Sequence, residues 1–130
     1  MEAKFYKKLN IMSHSIHLYR IETKELETES RDENFFENEN NLEPFTPEQH
    51  EYLTQRLLAY EYTLSIENAN GLQFEHSEYS IIAQLTARGL YFSAGFEGDR
   101  IFEAGMTASE FTDTGEFVKY DPQNNGWEEI

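Results

Sequence analysis

Between Tyr62 and Ala94, apolar side chains recur at every second position in four short runs, and turn-forming residues separate the runs. This alternation constrains the chain more than any other feature. Tyr62, Leu64 and Ile66 alternate with Thr63, Ser65 and Glu67, and Leu72, Phe74 and His76 return after Asn70-Gly71. Ile81, Ala83 and Leu85, then Leu90, Phe92 and Ala94, flank a turn around Arg88-Gly89. A period of two matches a pleated strand with one buried face. Asn70-Gly71 offers the positive-φ residues of a tight hairpin turn. Two successive hairpins, and so an antiparallel sheet, are the expectation.

The flanks add two helices and two strands. From His14 to Ile21 the pattern again alternates: Ile16 and Leu18 point one way, His17, Tyr19 and Ile21 the other, predicting a strand wettable on its second face. Thr46, Pro47 and Gln49 form a capping box with proline at the first helical position, and Leu53, Leu57 and Tyr60 continue a helical stripe. Gly95 and Gly98 end the sheet run, and Asp99 is positioned to cap a second helix. Its inner face would be Ile101, Ala104, Gly105, Ala108 and Phe111, with Gly115 as a left-handed stop. Phe117 to Tyr120 form a closing strand, ended by Asp121-Pro122, and Trp127 anchors the tail. The expected fold is α+β: a mainly antiparallel sheet of five to six strands with two helices packed on one face, in the order β-α-β-β-β-β-α-β.

Residues 22–43 break this regularity. Nine acids face two bases, a local balance of −7, and Asn34, Asn38, Asn40 and Asn41 interleave with them. Leu26, Phe35, Phe36 and Leu42 are the apolar anchors available, so a long, mobile acidic loop is expected. The 130 residues suit a single domain, with 1–11 an arm or a cloning remnant and Met1 or Met12 as the native start. The first eleven residues lack the apolar stretch and small-residue cleavage site of a secretory signal, which favours a cytoplasmic location. No apolar run approaches the ~20 residues of a membrane-spanning helix.

Composition removes whole classes of chemistry. Zero cysteines exclude disulfides, thiolate metal sites and thiol nucleophiles. A net charge of −15 argues against nucleic acid and anionic membranes, because phosphate contacts need lysine and arginine. His14 and His17 are three apart, a spacing that on a strand faces opposite sides and cannot converge on one metal ion. Glu75-His76-Ser77-Glu78 carries an imidazole between carboxylates, but no G-x-S-x-G elbow is present, and turn polarity is the simpler account. His50 falls on a first helical turn without a partner in register. GFEGDRIFEAG has neither a dinucleotide fingerprint nor a Walker lysine, and no calcium-loop motif occurs. Among 25 acids nothing singles out a catalytic pair. No cofactor, no metal and no catalytic residue are expected.

The hairpin IIAQLTARGLYFSAG, the helix DRIFEAGMTASEFTDTG and the strand FVKYDPQ, about residues 80–123, resemble a group of small acidic bacterial proteins of unknown function with a YDPQ ending. The small, acidic, cysteine-free α+β character is also similar to that of immunity proteins of contact-dependent or polymorphic toxin systems. That resemblance implies an acidic surface covering a basic toxin, and carries no catalytic residues with it. The leading expectation is a non-enzymatic module that binds a basic protein partner through Glu29, Asp32, Glu33, Phe35, Phe36, Glu37 and Glu39. Acidic charge speeds encounter with such a partner and aromatics anchor it. A second expectation is a small-molecule or enzymatic pocket between the second helix and the sheet, opened by Gly95 and Gly98 and lined by His76, Tyr91 or Tyr120. A third is a homo-oligomer paired through an exposed strand or sheet face.

Overall fold

The computed structural model describes residues 13–95, 100–123 and 126–128. Its centre is a seven-stranded sheet of order β2-β3-β4-β5-β1-β6-β7 in which every neighbouring pair is antiparallel. The strands are β1 Ser13–Arg20, β2 Tyr62–Asn68, β3 Gly71–His76, β4 Ile81–Leu85, β5 Leu90–Gly95, β6 Phe117–Asp121 and β7 Gly126–Trp127. Three helices accompany them: α1 Ile21–Ser30, α2 Pro47–Ala59 and α3 Arg100–Glu110. The fold is α+β as expected, with seven strands and three helices in place of five to six and two.

The expected hairpins form. Asn68 pairs with Gly71 across the two-residue turn Ala69-Asn70, and Gly71, not Asn70, carries the positive φ of 138°. A Cβ at Gly71 would lie 2.3 Å from the Leu85 carbonyl oxygen, so the close approach of β3 to β4 also requires glycine there. In the next hairpin the Thr86 hydroxyl accepts the backbone N–H groups of Arg88 and Gly89.

One face of the sheet holds a core of Ile16, Leu18, Phe74, Ile81, Ala83, Leu85, Leu90 and Phe92, covered by α2 and α3. The start of α2 follows from local chemistry: Thr46 accepts the Gln49 N–H at 3.0 Å, and the Gln49 side chain accepts the Thr46 N–H at 3.0 Å. Leu53 and Leu57 point from it into the core. The small residues Ala104 and Ala108 bring α3 close to the sheet, and Phe111 ends its inner stripe. Gly115 follows with φ 82°, the expected left-handed stop. Asp99 and Gly98 lie outside the described residues. The Arg56 guanidinium, stacked over Tyr52, Tyr60 and Phe111 and paired with Asp113 at 3.3 Å, ties α2 to the end of α3.

The opposite face of β1 is not open to water, contrary to the expectation. Ser15, His17 and Tyr19 are all buried. Their cover is α1 with the segment that follows it, and this corrects the expectation of a long loop over 22–43. Residues 21–30 are α-helical, and two short 3₁₀ turns, Phe35–Glu37 and Glu39–Asn41, lie beyond them. No apolar stripe or side-chain cap marks α1; its two large apolar residues, Ile21 and Leu26, are exposed. Tertiary hydrogen bonds hold it instead. The fully buried Thr23 hydroxyl accepts the Glu43 N–H at 2.9 Å, and Glu27 accepts the Trp127 indole N–H at 3.0 Å. Phe35 and Leu42 pack beneath with Tyr19, beside Phe36, Tyr91, Tyr120 and Trp127.

Candidate functional site

Alternate positions of β1 line up a hydroxyl, an imidazole and a phenol. Ser15 Oγ lies 3.1 Å from His17 Nε2, and the Tyr19 hydroxyl lies 3.0 Å from His17 Nδ1. A nucleophile, a base and an orienting group in a row are what acyl-transfer chemistry needs. Here the row is sealed: Ser15 is 2% and His17 6% exposed, and the rings of Tyr19, Tyr91 and Tyr120 surround the imidazole. Burial pushes the His17 pKa down to about 3, against the opposing pull of the Asp121 carboxylate. A neutral, desolvated imidazole with that affinity for protons is a weak base at neutral pH, and the arrangement serves as a buried polar knot. Edge-to-face contacts such as His17–Tyr91, at 4.8 Å, are worth about 0.5–1.5 kcal/mol each.

A second constellation joins α3 to β6 and the tail. Lys119 Nζ donates to Ser109 Oγ at 2.7 Å and to the Gly105 carbonyl at 3.3 Å, and pairs with Glu128 at 3.1 Å. Ser109 in turn donates to Glu128 at 2.9 Å. An ammonium paired with a carboxylate is a donor, so this serine–lysine contact is a clamp rather than a catalytic dyad.

The residues expected to share a pocket do not. His76 lies on the α2–α3 side of the sheet against Tyr62, at 4.9 Å, whereas Tyr91 and Tyr120 lie on the other side around His17. His76 Nδ1 accepts the backbone N–H groups of Glu78 and Tyr79, the turn role anticipated for that segment. Tyr62 buries its hydroxyl without a hydrogen-bond partner among the described residues, and its pKa is raised by burial and then by the charge of Glu103. Among the described residues, no group of three or more histidines and carboxylates is placed to hold a metal ion.

Among the described residues, two shallow grooves stand out. One, of about 370 Å³, runs from Phe45 and His50 at the start of α2 to Asn70 and Ala87. The other, of about 490 Å³, is lined by Glu22, Glu25, Leu26 and Glu29 of α1 together with Glu43. The helical spacing of 22, 25, 26 and 29 puts these side chains on one flank of α1, while Thr23 and Glu27 face inward. Arg20 reaches Glu22 at 3.2 Å and Glu43 at 3.8 Å, leaving four carboxylates against one guanidinium around an exposed leucine.

Of the seven expected partner-binding residues, Glu29, Asp32, Glu33, Glu37 and Glu39 are exposed. Phe35 is 4% exposed and Phe36 is packed on Tyr19 and Tyr120, so the two phenylalanines hold the cover in place instead of facing solvent. Tyr19, also expected at the surface, is buried with them. Nothing near α1 in the chain announced this: its partners are Glu43 and Trp127. No protein-family model, characterised protein sequence or solved structure matches the chain. No helix among the described residues is long and apolar enough to cross a membrane.

Proposed function

We propose that the chain is a non-enzymatic module that binds a basic protein partner, in the manner of an immunity protein that neutralises a basic toxin. The observation that carries this reading is the groove along α1, lined by Leu26 with Glu22 and Glu43, which Arg20 engages, and with the exposed Glu25 and Glu29. Carboxylates around an apolar contact suit a lysine or arginine side chain, whose aliphatic stem lies on the leucine while its charged end meets the acids. The exposed acids that follow, Asp32, Glu33, Glu37 and Glu39, extend the same negative surface. The sealing of Ser15 and His17 and the pairing of Lys119 favour binding over catalysis.

The test is capture from the source cell on immobilised protein at low and high salt, with Glu25→Lys/Glu29→Lys alongside. A stoichiometric basic protein should be retained at low salt, released as salt screens the charges, and held more weakly by the reversed variant. Recovery of no stoichiometric partner, or of one whose retention ignores both salt and charge reversal, would refute the reading.

A further inference from the structure

We infer that the outer edge of β2 receives an extended, basic segment of the partner as an eighth strand of the sheet. The inference rests on the basic-partner reading above and specifies how such a partner is engaged. β2 is a terminal strand of seven residues that pairs with β3 on one side, and no described residue pairs with its other edge. Every residue from Thr63 to Asn68 is exposed, so a row of backbone donors and acceptors faces solvent. The sheet's other terminal strand, β7, has two residues and offers no comparable ladder.

The side chains of β2 suit an added strand on both faces. A bulge interrupts the register between Leu64 and Ile66. Leu64 therefore stands opposite the core residue Phe74 while Ile66 stands opposite Gln73, which points to the other face. Both are large apolar residues left open, at 43% and 46% exposure, and an incoming strand would cover one on each side.

Charge selects the occupant. From Leu57 to Ala87 the chain has no lysine or arginine, while Glu61, Glu67, Glu75 and Glu78 are exposed there. On β2 itself the charge is Glu67, with Glu61 just before the strand, so a second copy paired in a register that opposes these residues would set glutamate against glutamate. A cationic strand would set one lysine or arginine opposite Glu67 and bring its other charges into the negative field of Glu61, Glu75 and Glu78, while its backbone completes the hydrogen bonds. Like charge is a usual guard against edge-to-edge self-association, and it does not oppose a cationic strand.

Hydrogen exchange of the full chain with a short peptide alternating lysine and valine tests this. The peptide should protect amides within 62–68. Its affinity should fall about tenfold or more with Ser65→Pro, at a bulge position where an edge strand tolerates proline. A peptide with the same charges but alternate backbone nitrogens methylated should lose the same against the unaltered protein, which keeps the test valid if Ser65→Pro misfolds. A glutamate–valine peptide should not bind, and Glu25→Lys/Glu29→Lys on α1 should leave the β2 protection intact. Protection confined to 21–30 and abolished by the α1 variant would overturn the edge inference while leaving the basic-partner reading standing. Absence of any binding by the lysine peptide would count against both. Protection of β2 in peptide-free protein, with a doubled mass in sedimentation, would give the edge to a second copy and overturn the inference.

Discussion

On one side of β1, Ile16 and Leu18 meet Leu53, Leu57, Ala104, Ala108 and Phe111 from α2 and α3, a tightly packed apolar core. On the other side, Ser15, His17 and Tyr19 meet Tyr91, Tyr120, Phe36 and Trp127, a smaller aromatic layer threaded with hydrogen bonds. The helices over the two sides differ in the same way. Capping, periodicity and burial agree in α2, whereas α1 has no apolar stripe and no side-chain cap and follows β1 without a break. A helix with its own apolar stripe is held by transfer of that stripe from water. A helix without one persists through specific contacts, and its outer face stays free to carry charge.

Breaking each layer separately should expose this contrast. Phe92→Ala, at the centre of the α2–α3 side, should cost about 3–5 kcal/mol and lower the single thermal transition of the whole chain. Phe35→Ala should cost less, about 3 kcal/mol at most, because the layer over His17 can open by itself. Hydrogen exchange in that variant should accelerate across 21–43 while β2 to β5 keep their protection. Equal acceleration in both regions would show that the two layers are one cooperative unit.

Acid should act through the aromatic layer. Folded His17 stays neutral down to about 3, whereas an unfolded histidine takes up its proton near 6.5, so the unfolded chain binds more protons across that window. This contribution is complete above 6.5 and is lost progressively as pH falls toward 3. Urea midpoints measured against pH should therefore fall more steeply for the native chain than for His17→Gln, which cannot titrate. The smallest effects are expected on the helices' polar positions: Thr46→Ala should cost about 1 kcal/mol by releasing the α2 capping box, whereas Glu25→Gln in the middle of α1 should change stability by less than about 0.5 kcal/mol.

The features legible in advance are those whose causes lie within a few residues of one another. The alternation of Tyr62, Leu64 and Phe74 predicts strands, Thr46 and Gln49 predict the start of α2, and Gly115 predicts where the turn after α3 stops, because periodicity, capping and φ are local properties. The acidity of 22–43 is equally plain in the sequence, but of the acids expected to bind a partner Glu29 alone lines the α1 groove, because the groove forms when 22–29 become helical beside Glu43. Local pattern could not reveal that Ile21 to Ser30 would be helical, since α1 depends on Thr23 meeting Glu43 twenty residues later and Glu27 meeting Trp127 one hundred residues later. The burial of His17 and Phe35 is likewise invisible to local pattern, because each is covered by segments distant in the chain. Composition and short-range pattern thus determined β1 to β6, helices α2 and α3, the sheet's antiparallel character and the excess negative charge. Strand order, the burial of β1 on both faces and the unpaired edge of β2 were decided by tertiary packing, because each depends on which distant segment removes a side chain or a backbone edge from water.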